Sequence, residues 1–251
     1  MKINNLDKEI AIAISAATKS GKLLSENRIS LNHSMESSAK DIKLKADIES
    51  EFIIKRALSD KSNFPILAEE SGKSQNDLGD IFWVVDPLDG TANYNRDIPI
   101  CCVSIGLVYK MNPIAGIIYD FYNDDLYVGN NQEKKATRNN ENISISNISE
   151  KKEGILVTGL PHQTDFSDIA LKNLIHDMQL WKKVRMIGSA AMAACYVASG
   201  KADLYSEKGV FIWDIIAGAA IVESAGGVAK ISDQNKDYQV DVLFSNSLIQ
   251  T

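Results

Sequence analysis

The start of the chain shows two helical patterns separated by a polar stretch. Apolar residues recur every three or four positions over residues 6–24, which predicts a helix, and a second helical pattern covers residues 42–58. Residues 27–40 between them are polar and rich in serine, which is typical of a loop or a short hairpin. Two helices joined by an irregular segment are therefore expected to open the fold.

Short apolar runs separated by turn residues follow, and this pattern is typical of β-strands. We predict strands over residues 65–68, 81–85, 101–109, 114–121 and 126–128. Turn pairs such as Asn112-Pro113 and Asn123-Asp124 separate them. The middle of the chain therefore predicts an antiparallel sheet.

The pattern changes after a polar stretch at residues 139–154, beyond which strands and helices alternate. Strands are predicted over residues 154–158, 184–187 and 203–205, and helices over residues 168–181, 189–198 and 213–225. We therefore expect a layered α/β fold with two halves that share one interior. Residues 1–145 would form the antiparallel-sheet half, and residues 146–251 the α/β half.

Composition limits the function classes. The 251 residues are 45% hydrophobic, which suffices for a large core. With 33 acidic against 27 basic residues and a net charge of −6, the chain lacks the basic surface that nucleic acid or an anionic membrane requires, so neither partner is expected. The three cysteines show no CxxC spacing, and no apolar run approaches the roughly 20 residues of a membrane span. A cytoplasmic protein with buried, unpaired cysteines is expected.

The stretch WVVDPLDGTANY, residues 83–94, places two carboxylates around a proline at the end of an apolar run. Pro87 disfavours a helical conformation at Asp86, and Gly90 allows a positive φ, so a sharp turn can direct Asp86 and Asp89 to one point. Neighbouring carboxylates repel each other unless a cation neutralises them, and magnesium prefers such oxygen ligands. The alternative is that these are ordinary turn residues.

Three separated segments resemble the motifs of the inositol monophosphatase family of magnesium-dependent, lithium-sensitive phosphatases. They are ILAEES at residues 66–71, WVVDPLDGTANY at 83–94 and WDIIAGAAIVESAGG at 213–227, in the family's order and spacing. The likeness extends to VSIGLV at 103–108 and to IGSAAMAACYVASGKADLY at 187–205, so it covers nearly the whole chain. It implies a sugar phosphatase-like fold of alternating α-β-α-β-α layers, and a homodimer.

The resemblance also implies a site for two or three magnesium ions. The ligands of the first ion would be Glu69, Asp86 and the Leu88 carbonyl, those of the second Asp86, Asp89 and Asp214, and Glu69 would support a weaker third. Glu70 matches a position beside the ligands and is not counted among them. Thr91 and Asp47 would form the catalytic pair that orients or deprotonates the attacking water. An exposed helical aspartate is the alternative interpretation of Asp47.

Substrate contacts are implied as well. Backbone N–H groups of Gly90 and Thr91 would bind phosphate at the turn. The start of a helix at Gly188, Ser189 and Ala190 would face the substrate ring, with an ordinary N-cap as the alternative for Ser189. Glu207 would accept a hydrogen bond from a substrate hydroxyl, with a surface charge in a loop as the alternative.

One departure from the family is Lys43-Leu44 in DIKLKAD, where a valine and a threonine are usual. The segment before Asp47 and the third metal ion are the parts of the inference that this departure affects.

The resemblance thus implies a magnesium-dependent phosphomonoesterase that hydrolyses inositol monophosphate or a related sugar or polyol phosphate by attack of a metal-activated water. The sequence GTANY favours the inositol and sugar phosphatase branch. Fructose bisphosphatase and adenosine bisphosphate nucleotidase activities are the catalytic alternatives. A non-catalytic member that binds a phosphorylated metabolite and a metal-dependent assembly factor are the others.

Overall fold

The chain folds into layers of helices and sheets in a computed structural model, which describes residue 3 and residues 5–37, 42–160 and 167–250. The α-helices of these residues are α1 (Leu6–Glu26), α2 (Arg28–Leu31), α3 (Lys45–Ser59), α4 (Thr91–Asn95), α5 (Asp168–Gln179), α6 (Ala190–Ala198) and α7 (Ile212–Ser224). Among the described residues, no helix combines the length and the apolar character that crossing a bilayer requires.

The strands of the described chain form three sheets. A hairpin consists of β1 (Ser34–Ser37) and β2 (Ile42–Leu44). The large sheet consists of β3 (Ile66–Ala68), β4 (Gly72–Lys73), β5 (Ile81–Asp89), β6 (Cys102–Tyr109), β7 (Asn112–Asp120), β8 (Asp125–Asn130), β9 (Lys135–Arg138) and β10 (Glu141–Asn142), in the order β10-β9-β8-β7-β6-β5-β3-β4. The small sheet consists of β11 (Ile155–Thr158), β12 (Lys183–Met186), β13 (Leu204–Phe211), β14 (Val228–Ile231) and β15 (Gln239–Ser245), in the order β12-β11-β13-β15-β14.

The helices cover both faces of the large sheet and of the small sheet. α1 and α3 pack together on one face of the large sheet, and α6 and α7 lie between the two sheets. Beyond the small sheet, Leu174 and Met178 of α5 and Leu156 of β11 line one cavity of about 360 Å³. The expected α-β-α-β-α order and the α/β fold class are thereby confirmed.

A row of three glycines lets α7 lie directly on the large sheet. Gly106, Gly116 and Gly129 are register partners on β6, β7 and β8. A Cβ at Gly116 would overlap the carbonyl oxygen of Ala217, and a Cβ at Gly129 would lie 2.6 Å from the Ile221 Cα. The helix backbone therefore contacts the sheet backbone, which fixes the height of α7 above the sheet.

Several element boundaries differ from those that the sequence predicts. The second long helix begins at Lys45, because residues 42–44 form β2 and pair with β1. The polar segment before it thus contributes β1 to a short hairpin, one of the two structures predicted for that segment. The strand predicted over residues 203–205 continues to Phe211. The large sheet is mostly antiparallel, but β3 and β5 run parallel. The division at residue 145 stays a prediction, and one core cluster contains residues from both sides of it, such as Val84 and Phe244.

The cysteines agree with the expectation. Cys101, Cys102 and Cys195 are buried and unpaired. Burial raises the pKa of each thiol, so all three stay protonated and behave as small hydrophobic residues.

Candidate metal centre and catalytic pair

Two carboxylates project from a bulge at the end of β5. Asp86 pairs with Ser104 and Asp89 pairs with Cys102, so the spacing along β5 exceeds that along β6 by one residue. The strand therefore continues through Asp89, and the sharp turn predicted directly after Asp86 is wrong. Pro87 lies inside the bulge, where its lack of an N–H group breaks no ladder bond.

Gly90 makes the turn between β5 and α4 possible. Its φ of 88° lies in the left-handed region that favours glycine. A Cβ at this position would lie 2.8 Å from the carbonyl oxygen of Ile100. Both the conformation and the close approach therefore require glycine, and α4 starts immediately afterwards at Thr91.

A hydrogen-bonded pair joins α4 to α3. The Thr91 Oγ1 lies 2.9 Å from Asp47 Oδ1 and 3.0 Å from the Leu88 carbonyl oxygen, so its hydroxyl can donate to either. The Leu44 N–H donates to Asp47 Oδ2 at 2.8 Å at the start of α3. Asp47 is only 2% exposed, so its interpretation as an exposed helical aspartate is wrong. Burial raises the pKa of Asp47 to about 7, against the opposing effect of the hydrogen bonds from Leu44 and Thr91.

Glu69 and Asp214 approach Asp86 from two other elements. Glu69 follows β3, and its carboxyl group shares a hydrogen bond with Asp86. Asp214 lies in the first turn of α7, where its Oδ2 accepts from the Phe211 N–H at 2.9 Å. Burial, followed by the negative charge of Asp214, raises the pKa of Glu69 well above its usual range, and burial with the charge of Glu69 does the same for Asp86. The three carboxyl groups therefore form one electrostatically coupled cluster.

Asp89 connects the large sheet to α6. Its carboxylate accepts hydrogen bonds from the Ser189 hydroxyl, from the Ala191 N–H at 2.8 Å and from the Ala190 N–H at 3.3 Å. Ser189 is also the N-cap of α6, because its Oγ accepts from the Met192 N–H at 3.2 Å. The N-cap interpretation is thus confirmed. Burial raises the pKa of Asp89, and the donors at the start of α6 oppose this shift.

Asn93 is a site residue that the sequence does not predict. Its side-chain amide donates to the carbonyl oxygens of Ile100 and Ile187, each at 2.7 Å. Gly188, which follows Ile187, has a φ of 70° and lies against the Asn93 side chain. The turn after β5 and the loop before α6 are therefore fixed to each other. The available sequence signal is the position of Asn93 within GTANY, but its partners lie in distant segments.

Glu207 lies at the border between this site and the cavity under α5. It is half-buried within β13, so the loop expected around it is wrong, and the strand is irregular between Glu207 and Val210. The Tyr205 hydroxyl donates to Glu207 Oε2 at 3.1 Å, and a Cβ at Gly159 would overlap the carboxylate. Burial raises the pKa of Glu207, and the charge of Asp89 contributes in the same direction. A plain surface charge is therefore not what the structure contains.

Glu70 lies beside the cluster with partners of its own. Its Oε2 forms an ion pair with the Lys43 Nζ of β2, and its N–H donates to Glu51 Oε2 at 2.8 Å. Lys43 thus brings a positive charge next to the acidic residues.

The donor set fits a hard divalent cation. Among the described residues, no three His, Cys, Asp or Glu side chains form a preformed metal-ligand group. The acidic oxygens instead accept from nearby N–H and O–H groups, as Asp86 does from the Leu88 N–H at 2.9 Å. Burial, followed by mutual repulsion, raises the pKa values of these carboxyl groups, and a nearby cation would stabilise their charged forms. All the donors are oxygens, which Mg²⁺ prefers.

The structure therefore brings together the predicted residues Asp47, Glu69, Asp86, Leu88, Asp89, Thr91, Asp214 and Glu207. Their roles as metal ligands, and the substrate contacts of residues 90–91, 188–190 and 207, stay predictions.

Known proteins share both the sequence and the fold. The model of the inositol monophosphatase family matches residues 5–249. The chain is 35% identical over 224 residues to a protein named Nus factor SuhB from Pasteurella multocida, with 86% of this chain and 82% of that protein covered. It is 33% identical over 252 residues to an inositol monophosphatase from Mesembryanthemum crystallinum, with 96% and 92% covered. The solved inositol monophosphatase from Anabaena (Nostoc) sp. PCC 7120 matches with a TM-score of 0.83 and 32% identity, over 97% of this chain and 92% of that one. The chain belongs to the inositol monophosphatase family.

Proposed function

We propose that this protein is a magnesium-dependent phosphomonoesterase that hydrolyses inositol monophosphate or a related sugar or polyol phosphate. Family membership supports a phosphatase, because the family is generally metal-dependent and acts on small phosphate esters. The observation that carries the proposal is the convergence of three coupled carboxyl groups, Glu69, Asp86 and Asp214, beside the hydrogen-bonded pair of Thr91 and Asp47.

The residues that would hold the ions are Glu69, Asp86 and the Leu88 carbonyl for the first, and Asp86, Asp89 and Asp214 for the second. When bound, magnesium neutralises the phosphate dianion and stabilises the leaving alkoxide. Thr91 orients the attacking water with its hydroxyl oxygen, takes up the water proton, and passes its own proton to Asp47. A pKa of about 7 suits Asp47 to this role, because a general base works best when its pKa lies near the operating pH.

Glu207 supports a substrate with several hydroxyl groups. Its carboxylate is half-buried near Asp89 and already accepts from the Tyr205 hydroxyl. It can accept further hydrogen bonds, because an ionised carboxylate has about four acceptor sites. A ring hydroxyl on the leaving group would supply such a bond, as in inositol or a sugar.

The test is phosphate release from inositol monophosphate, fructose bisphosphate, other sugar phosphates and adenosine bisphosphate, with magnesium, with EDTA, and with magnesium plus millimolar lithium. We expect magnesium-dependent release from the inositol or sugar monophosphates and inhibition by lithium. Release from the bisphosphates alone would instead support the fructose bisphosphatase or nucleotidase alternative. No release from any substrate, despite magnesium binding, would contradict the enzyme proposal.

Relatives named Nus factor SuhB support a second candidate function, in which the chain acts as a factor that binds other macromolecules. Magnesium-dependent association of the protein with other macromolecules, without phosphate release, would favour this second function. The expected homodimer, the cytoplasmic location and the lack of nucleic-acid and membrane partners stay predictions.

A further inference from the structure

Lys43 places a positive charge at one edge of the acidic cluster. It lies on β2, and its Nζ forms an ion pair with Glu70 Oε2. The side chains are 31% exposed for Lys43 and 13% exposed for Glu70, so the pair is partly withdrawn from water. Screening by solvent and salt is therefore weaker for this pair than for a fully exposed one.

The negative charge of Glu70 acts on both parts of the proposed site, the catalytic pair and the metal cluster. Burial is the main cause of the raised pKa values of Asp47 and Glu69, and the negative charge of Glu70 adds to both shifts. Any group that neutralises Glu70 therefore changes the potential at the catalytic pair and at the metal cluster together.

The hairpin that carries Lys43 is built onto the start of α3. The Lys45 N–H donates to the His33 carbonyl oxygen at 3.0 Å, and Leu44, which directly follows Lys43, donates its N–H to Asp47. On the other side, the N–H of Glu70 is held by Glu51 of α3. Lys43 and Glu70 are thus presented to each other by backbone that is fixed on both sides.

We propose that Lys43 is a positioning residue that supplies a fixed positive charge to the metal centre through Glu70 and thereby weakens the binding of a divalent cation at the Glu69 edge of the cluster. The proposal rests on the proposed metal centre. The same carboxylates attract an ammonium group and a divalent ion, so each cation lowers the affinity of the carboxylates for the other. Between partly buried charges in a medium intermediate between protein and water, such an effect is on the order of tenfold in affinity.

The experiment measures Mg²⁺ binding to the metal-free protein by titration calorimetry. Lys43→Met should bind the weakest Mg²⁺ on the order of tenfold more tightly than the wild type, whereas Lys43→Arg, which keeps the charge, should resemble the wild type. Glu70→Gln should bind it more weakly. The double variant K43M/E70Q should return to wild-type affinity, because both charges are removed.

A purely structural role for Lys43 gives a different result. Lys43→Met would then lower the melting temperature and leave Mg²⁺ affinity equal or weaker, and either affinity result would overturn the proposal. If the wild-type protein bound no Mg²⁺, this result would contradict the metal centre itself and the proposed function with it. Wild-type protein that binds Mg²⁺ and releases phosphate, with unchanged affinity in Lys43→Met, would overturn only the role of Lys43.

Discussion

Thr91 Oγ1 lies 2.9 Å from Asp47 Oδ1, although the two residues are 44 positions apart in the sequence. The contact places a hydroxyl group between a buried carboxylate and the Leu88 carbonyl oxygen. A protein that only bound a phosphorylated metabolite would need the acidic cluster and its cation but not this pair. Under the proposed function, the Thr91–Asp47 contact is therefore the feature that would distinguish an enzyme from a binding protein.

Thr91→Ala tests this pair. The substitution removes the hydroxyl group that is proposed to orient the attacking water, so kcat should fall about 10²-fold to 10⁴-fold, whereas Mg²⁺ affinity should change little. Thr91→Ser is the matched control, because it retains the hydroxyl and should retain most of kcat. Steady-state kinetics and calorimetry measure both quantities, and an unchanged kcat in Thr91→Ala would rule out the proposed role.

Asp89→Asn should reduce turnover at least a hundredfold, because it removes one negative charge from the proposed ligands. Most of the fold should survive, since the amide oxygen can still accept from α6. Asp120→Asn is the control: Asp120 is also buried, but it accepts from Tyr122 and Asn123 at a turn. Asp120→Asn should keep near-normal turnover. If Asp89→Asn kept it as well, the assignment of Asp89 as a ligand would be wrong.

Ser189→Ala should lower the free energy of unfolding by about 1 kcal/mol, the usual cost of losing an N-cap. It should also weaken Mg²⁺ binding about tenfold, because the hydroxyl that orients Asp89 is lost. Ser167→Ala removes the N-cap of α5, where Ser167 accepts from the Ala170 N–H at 3.3 Å. Urea denaturation should show a similar loss in both variants, with Mg²⁺ affinity reduced only in Ser189→Ala.

Gly116→Ala should destabilise the protein by about 1–3 kcal/mol, because the new methyl group would overlap the Ala217 carbonyl oxygen and push α7 away from the sheet. Gly154→Ala is a milder comparison. Its φ is −89°, and the nearest atom to the new methyl group would be the Trp181 ring at 3.1 Å, which can shift. Equal stability of the Gly116 variant and the wild type in urea would contradict the close packing.

The metal-free protein should lose stability as the pH rises from about 4 to about 7. Burial raises the pKa of Asp47 from 3.8 to about 7, so over this range the folded state binds more protons than the unfolded state. Glu69 and Asp86 shift in the same direction. The melting temperature in EDTA should therefore be lower at pH 7.5 than at pH 5, and Mg²⁺ should reduce the difference. A melting temperature that rises with pH in EDTA would contradict the raised pKa values.

The sequence predicts the fold class and the acidic residues of the site because both depend on local patterns. The α/β fold class follows from hydrophobic periodicity, whereas the order of its layers and the roles of Glu69, Asp86 and Asp214 are implied by the resemblance of contiguous motifs to the family. Burial of Asp47 agrees with the role assigned to it, although periodicity alone leaves it ambiguous.

The remaining features depend on contacts between distant segments. The hydrogen bond from Ser189 to Asp89 spans 100 positions, and the hydrogen bond from the Asn93 side-chain amide to the Ile187 carbonyl oxygen spans 94 positions. Neither can be read from the spacing within one motif. The bulge in β5 likewise depends on its register with β6, which the neighbouring turn residues do not determine.

The glycine row across β6, β7 and β8 limits how this chain can diverge in evolution. Asp214 lies in the first turn of the helix that packs on these glycines, so the height of Asp214 above the sheet depends on residues that have no side chain. A larger residue in the row could leave the core folded while lifting one acidic residue out of reach of the others. Descendants of this chain would then lose the proposed metal centre before they lost their architecture.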